Sequence, residues 1–581
     1  MSNHWDREVD LLVVGTGAAG LTAAITAADA GLATLVVEST ERWGGTTMRS
    51  GGGLWMPTNP LISTFAAPDS VEDALTYLEA AIGDAGPASS PERRLAFVNA
   101  VIPVFRMLER LGMQWSPAKQ YPDYYPDRPG GRVGRSIEPK PFDAKRLGDA
   151  FATSRAGDGL PVPLKNDDVW LLSRAWSTPS GFVRGARFVF RMLGGIVTGK
   201  KLYGMGSALA MSLMQMVRTQ GTEVLLSSPL TDLVLEDGVV VGAVVTTPTG
   251  ELRIRTRRGV MLGAGGFAMN TAWREKYHGI PGYSSAADGD LGTAIAIGRD
   301  AGGALALMDD AWWGASVPID GKQALFVLNE RSDPYSIVVD QSGQRYLNES
   351  ESYIDFGHDL LERNRTVPAN PSWLVVDKRH RQRYMFAAAL TDGKKLRSSG
   401  TLVKAGTIAE LAKRMGVDGA TLQSTIDRFN GFARSGVDED FGRGRTVYDN
   451  YYGDPRVKPN PNLGAIEKGP FTAVKLVPGD LGTKGGLLTD EHARVLDDSG
   501  AVIPGLYAAG NTTASVMGRT YPGPGSTIAP AVIFGYLGAL HAAEAEVFGV
   551  DPAASVGSGD ASTPDLTDIE TTPEEQKETS V

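Results

Sequence analysis

The chain has 581 residues, 57 Lys plus Arg against 67 Asp plus Glu, a net charge of -10 and 42% hydrophobic residues. That length can bury a large core over two or more domains, and the acidic balance leaves no electrostatic footprint for nucleic acid. With no cysteine, disulfides, thiolate catalysis, iron–sulfur ligation and a cysteinyl cofactor linkage are excluded.

The first eight residues are polar and show no signal-peptide pattern, and no run is long enough to span a bilayer, so a cytoplasmic protein is expected. Leu11 to Val14 reads as a buried parallel strand. Gly15, Gly17 and Gly20 follow as G-x-G-x-x-G. Gly15 permits the tight turn, Gly17 lets backbone approach a pyrophosphate, and Gly20 lets helix and strand pack closely. The helix opens at Ala18 and Ala19, carries Leu21, Ala24, Ile25 and Ala28 on one face, and closes at Gly31. Its N-terminus offers N–H groups and positive dipole to phosphates. A second strand, Leu35 to Val37, ends in Glu38 and Ser39, close to the ~20-residue offset of a ribose-binding carboxylate. Gly44, Gly45, Thr46 and Thr47, then Ser50, Gly51 and Gly52, form a second small-residue loop. Its place along a pyrophosphate and polyol points to FAD rather than NAD.

Helices are expected over 70–82 and 91–111, followed by an aromatic loop from Tyr121 to Asp127. Residues 140–201 have no clean period. Within them, Val169 to Lys201 mixes Trp, Phe and Leu with Arg and Lys and has no acid, which makes it a candidate peripheral contact with a membrane. A helix over 203–219 precedes strands at 223–226, 230–236, 239–246 and 252–257, with a hairpin turn at Glu236-Asp237-Gly238. The strand 259–262 feeds a loop of Ala264, Gly265 and Gly266, and Asp290 sits before a small-residue helix. Residues 311–478 read as a separate domain. Glycine loops resume at 479–487, at Gly510 and Asn511, and at 518–527, where Ser526 precedes a helix from Ile528 to Phe548. The tail, 550–581, reads as disordered. The six histidines are scattered without ligand spacing, so no metal is expected.

These motifs together resemble the 3-ketosteroid Δ1-dehydrogenases (3-oxosteroid 1-dehydrogenases), FAD-dependent flavoproteins of the fumarate reductase and succinate dehydrogenase superfamily. The segments that carry the likeness are Gly44-Gly45-Thr46-Thr47 with Ser50-Gly51-Gly52, Pro122-Asp123-Tyr124-Tyr125, Asn348-Glu349-Ser350 leading to Tyr353, and Gly510-Asn511 leading to Thr520-Tyr521-Pro522-Gly523. The likeness covers nearly the whole chain apart from 140–201 and the tail.

The resemblance implies an α/β fold: a Rossmann-like FAD-binding domain split in sequence (1–310 and 479–549), with an inserted α+β catalytic domain at 311–478. It implies 1,2-dehydrogenation of a 3-ketosteroid. Tyr353 would take the C2 proton, Tyr124 would hydrogen-bond Tyr353, and Tyr521 with the N–H of Gly525 would polarise the C3 carbonyl. Pro524 stands where glycine is expected in the family, yet Gly525 keeps its donor. The chemistry suits the residues. Two donors at a carbonyl stabilise a developing enolate, and a phenol of pKa ~10 becomes a usable base only if its surroundings lower that value. The helix after Thr527 would direct its dipole at the flavin. No histidine lies in the 46–53 loop, so the FAD is expected to be noncovalent. An external acceptor, quinone-like or a dye, would reoxidise it. Rival readings are a 3-ketosteroid Δ4-(5α)-dehydrogenase or other flavin-dependent ketone oxidoreductase, a dicarboxylate reductase, and a flavin-binding membrane scaffold without turnover.

Overall fold

A computed structural model describes residues 4–157, 162–172, 174–175, 178–320, 323–387 and 392–544. The expected tail, 550–581, lies outside them, as do the last residues assigned to the final helix. Among the described residues the chain forms an eight-stranded sheet and a seven-stranded sheet, each with its own core.

The apolar run Leu11 to Val14 ends the strand Arg7–Val14, which lies in the middle of the larger sheet. It pairs in parallel with Thr34–Val37 on one side and Gly250–Leu262 on the other. Glu223–Leu225 extends the sheet beyond 34–37, and Val502–Ala508 pairs in parallel with 250–262. Leu11, Leu12 and Val13 are fully buried, because helices cover one face and residues of the 230–247 hairpin pack with Leu12 and Val14 on the other. The helix Ala18–Asp29 packs on that sheet beside Ile528–Glu544. Their approach is close: a Cβ on Gly535 would meet the Ala19 carbonyl oxygen at 2.5 Å.

The second sheet runs 323–326, 311–320, 471–483, 372–376, 336–339, with short strands at 283–284 and 402–405 also paired to 471–483. Helices such as Tyr353–Arg363 and Gly419–Ser435 lie against it. The split α/β domain with an α+β insertion is thus the observed architecture.

Several elements differ from expectation. The helix 91–111 is two helices, Pro91–Asn99 and Val101–Arg110. Pro103 has no N–H to donate back to residue 99, and its ring crowds that carbonyl. The strands 252–257 and 259–262 are one strand, Gly250–Leu262, interrupted by a bulge. There, Gly259 at φ +118° lies where a Cβ would meet the Gly505 carbonyl oxygen at 2.3 Å. The glycines at 479 and 482 lie inside the long strand Phe471–Thr483 rather than in a loop. The aperiodic 140–201 segment contains a 19-residue helix, Pro179–Val197, capped by the Thr178 hydroxyl on the Gly181 N–H.

Candidate active site

One cavity of about 570 Å³ runs from the glycine loops of the larger sheet to the junction with the second sheet. At one end its wall is Gly15, Gly17, Ala18 and Ala19, then Glu38 and Ser39. Gly15 is at φ +102°, and a Cβ there would meet the Gly263 carbonyl oxygen at 2.5 Å; only glycine permits that turn. The N-terminus of the helix 18–29 has no side-chain cap and no acid in its first turn. Its dipole, and its first-turn N–H groups other than that of Ala18, are therefore available to an anion.

The second glycine loop lies alongside. Gly45, Thr46, Thr47, Ser50, Gly51 and Gly52 line the cavity, opposite Ala264, Gly265 and Asp290. Thr47 Oγ1 accepts from the Ala18 N–H at 2.9 Å, and Thr46 Oγ1 donates to Asp290 at 2.8 Å. Burial pushes the Asp290 carboxyl up to about 7, with Thr46 opposing. Gly510, Asn511 and Ile528 close this part of the wall.

Gly20, Gly44, Gly266 and Ser526 are not on the wall. Gly20 packs against the strand turn, where a Cβ would sit 2.0 Å from the Gly15 carbonyl oxygen, and the Gly44 position is filled by Met48. A Cβ on Gly266 would run into Thr483. Ser526 is fully buried, its hydroxyl donating to the Gly523 carbonyl at 2.7 Å. It holds the shape of the 523–526 turn from behind. Glu38 reaches the wall, and its carboxylate also accepts from the Thr16 hydroxyl at 2.6 Å and the Thr40 N–H at 3.1 Å.

At the other end the wall is aromatic and apolar, with Tyr121, Tyr124, Leu325, Phe326, Tyr353 and Tyr521. Three tyrosines from three distant segments converge. Tyr353 and Tyr521 have ring centroids 4.9 Å apart, and Tyr124 and Tyr353 5.4 Å. Tyr353 opens the helix 353–363, so the helix start fixes its direction. Tyr124 is held through its own main chain: its N–H donates to the Pro522 carbonyl at 2.9 Å, which sews the 121–127 loop to the Tyr521 loop. Beneath it, Asp123 accepts from Trp55 Nε1 at 2.8 Å and from Arg135 at 2.7 Å, and Arg135 also pairs with Asp69. Burial pushes the Asp123 carboxyl up to about 6 against the pull of Arg135.

Burial also pushes the Tyr353 phenol well above the ordinary tyrosine range, assisted by Tyr521 and opposed by a hydrogen bond from Tyr124. The expected lowering by the neighbouring tyrosine is present, but desolvation outweighs it. Tyr521 is raised by burial too, while the Thr527 hydroxyl, Tyr353 and the Gly525 N–H pull it down. The Thr527 hydroxyl donates to Tyr521 Oη at 3.1 Å. Gly525, at φ +102°, has the Gly53 carbonyl oxygen only 2.4 Å from where a Cβ would stand. The Gly525 N–H is directed at the Tyr521 phenol, which puts the two donors side by side on the wall.

Sequence reasoning missed Thr527, Arg155, Asn166 and the tyrosines Tyr448, Tyr451 and Tyr452, which surround Tyr121 and Tyr124. The run of tyrosines at 448–452 was the available signal. Among the described residues no group of three or more His, Asp or Glu side chains could hold a metal ion.

FAD fits this cavity. Its walls present a helix N-terminus that carries no acid, beside two glycine loops, with the Glu38 carboxylate at the far end, and the cavity continues past them. A family model described as an FAD binding domain matches residues 10–528. Over 555 residues the chain is 46% identical to a 3-oxosteroid 1-dehydrogenase of Mycolicibacterium smegmatis, covering 92% of this chain and 97% of that one. It is 36% identical over 554 residues to a 4-oxocyclohex-2-ene-1-carboxylate 5-dehydrogenase of Sinomonas cyclohexanicum, covering 91% and 92%. Among solved structures it is similar to a 3-ketosteroid delta1-dehydrogenase from Sterolibacterium denitrificans in complex with 1,4-androstadiene-3,17-dione. There the TM-score is 0.86 at 36% identity, over 93% of this chain and 100% of that one.

Proposed function

The chain belongs to the FAD-dependent 3-oxosteroid 1-dehydrogenase family, and from that premise we propose that it oxidises the C1–C2 bond of 3-ketosteroids to give 1-ene-3-ketones. It is an FAD-dependent oxidoreductase. The observation that carries the substrate reading is the convergence of Tyr124, Tyr353 and Tyr521 on the apolar end of a cavity whose other end is the FAD cradle.

In this reading the steroid C3 oxygen sits between the Tyr521 hydroxyl and the Gly525 N–H, which stabilise negative charge as C2 loses its proton. Tyr353 Oη receives that proton. Tyr124 donates to Tyr353 and stabilises its deprotonated form. FAD bound in the cradle supplies the hydride acceptor for C1. Leu325 and Phe326 exclude water from the ring that reacts. Residues 1–310 and 479–549 hold the FAD and also lend Tyr124, Tyr521 and Gly525 to the substrate, while 311–478 supply Leu325, Phe326 and Tyr353. The FAD is held without a covalent bond, so acid precipitation leaves yellow flavin in the supernatant. A diffusible quinone-like acceptor reoxidises it.

The helix 179–197 docks the protein peripherally on the inner face of a membrane. Phe182, Val183, Val189, Phe190, Leu193 and Ile196 are all exposed and recur along one stripe, with Arg187 and Lys200 exposed nearby. Asp168 holds Arg184 and Arg191, which keeps the stripe outward. Among the described residues no helix is long and apolar enough to cross a membrane.

The test is anaerobic mixing with androst-4-ene-3,17-dione. Bleaching of the flavin band with formation of the 1,4-diene-3-one supports the reading. No bleaching, with flavin bound and reducible by dithionite, rejects it. This substrate already carries its 4-ene, so a Δ4-(5α)-dehydrogenase would leave it untouched.

A further inference from the structure

The loop that presents Tyr521 does not stand on its own hydrogen bonds alone. Lys484, just after the strand 471–483, is fully buried. Its Nζ donates to the Gly518 carbonyl at 2.9 Å and the Thr520 carbonyl at 2.6 Å. Both belong to the turn that leads directly into Tyr521. The same ammonium sits 4.3 Å from the centroid of the Trp312 ring. Trp312 meets Tyr521 edge-on, centroids 5.2 Å apart, and its Nε1 donates to Asn511 Oδ1 at 3.1 Å. One side chain therefore touches both the main chain before Tyr521 and the aromatic wall against which the Tyr521 ring rests.

Burying an ammonium is costly unless hydrogen bonds and nearby charge compensate. Methionine would fill the same volume without that cost, so the fold retains an expensive group at one place. Burial draws Lys484 down to about 7, with Asp310 and Asp355 pulling upward.

We propose that Lys484 is a positioning residue for the dehydrogenation. It fixes the 518–520 turn and the Trp312 ring together, so that the Tyr521 hydroxyl and the Gly525 N–H meet the substrate ketone oxygen at a single point. The inference rests on the reading of Tyr521 as a carbonyl donor. A small displacement of that donor weakens an interaction made chiefly as charge develops, so the loss falls on the chemical step rather than on binding.

The experiment is a double-mutant cycle of Lys484→Met and Tyr521→Phe. It is read by stopped-flow flavin reduction under anaerobic androst-4-ene-3,17-dione, with steroid Kd taken from the perturbed flavin spectrum. Lys484→Met lowers the reduction rate by roughly 10- to 100-fold while Kd changes less than about threefold. In the Tyr521→Phe background the same change costs less than about twofold more, because the group it positions is already gone. An equal loss in both backgrounds overturns the proposal. If Lys484→Met does not retain flavin, Lys484→Arg takes its place in the cycle, since it keeps donors for both carbonyls. It then retains more than about a third of the parent rate, and a full loss with flavin bound overturns the proposal. Tyr521→Phe alone with an unchanged rate instead refutes the carbonyl-donor reading, independently of Lys484.

Discussion

The rings of Tyr124 and Tyr521 lie nearly parallel, centroids 5.2 Å apart with 18° between their planes, and Tyr353 stands edge-on to both. The group assigned to the proton and the group assigned to the ketone are thereby in van der Waals contact through fixed aromatic faces. Neither ring can rotate without displacing the other two, so the substrate meets a preformed set of hydroxyls.

Removing the Tyr353 hydroxyl tests the proton acceptor. Tyr353→Phe keeps the ring packing, so the variant binds flavin normally. Its anaerobic reduction by steroid slows by about 10²–10⁴-fold, the range of a lost general base. Stopped-flow absorbance gives the rate, and turnover near that of the parent would show that another group takes the C2 proton.

The pH dependence follows from the direction of the Tyr353 shift. Burial raises its pKa, so at neutral pH the phenol is protonated and the basic form is a minority. The rate of flavin reduction therefore rises with pH across the neutral and mildly alkaline range without a plateau. Tyr124→Phe removes the donor that pulls the value down, and slows the reaction further at every pH. A rate independent of pH between 6 and 9, on the order of the span tested, contradicts this.

Gly525→Ala probes the carbonyl site through the backbone. The position is at φ +102°, and a Cβ would collide with the Gly53 carbonyl oxygen. Strain of roughly 1–3 kcal/mol is relieved by moving the 523–526 turn away from Gly53, which separates the Gly525 N–H from Tyr521 Oη. The expected result is a lowered thermal midpoint and a reduction rate lower by about 10- to 100-fold. Both are read on the same preparation, by thermal unfolding followed through flavin fluorescence and by stopped flow.

Charge placed on the exposed apolar stripe tests the membrane contact. Phe190→Glu with Ile196→Glu alters two side chains that are 73% and 65% exposed, so folding and steroid turnover in detergent-free buffer stay at the parent level. Sedimentation with anionic liposomes falls several-fold. Equal sedimentation of parent and variant rules out this helix as the contact.

Much of the site was legible because its chemistry is written in short local patterns. The βαβ unit at 7–38 carries its reasons within some thirty residues, and Tyr353 and Tyr521 sit in segments whose neighbours mark them. What was not legible depends on long-range contact. Gly479 and Gly482 read as loop residues. The strand tolerates them because Ser316 and Asn511 press on it there: a Cβ would meet Ser316 Oγ at 2.1 Å and Asn511 Nδ2 at 2.6 Å. The helix 179–197 was hidden by Gly181, Gly185, Gly194 and Gly195 and by an apolar face that turns outward. The run Tyr448, Tyr451 and Tyr452 marked an aromatic cluster but not what it packs on, because its partners Tyr121 and Tyr124 lie in a distant segment.

The interleaved order of the larger sheet bears on how the protein is made. Its strands come from residues 7–14, 34–37, 223–262 and 494–508, and Gly510, Asn511 and Ile528 complete the cradle wall. During synthesis the first βαβ unit leaves the ribosome well before the loops at 264–265, 290 and 510–528 that complete its wall. The complete cradle therefore exists only once residue 528 has emerged and folded. A chain truncated before residue 494 accumulates as colourless apoprotein, so yellow colour in a crude extract reports completed chains rather than total expression.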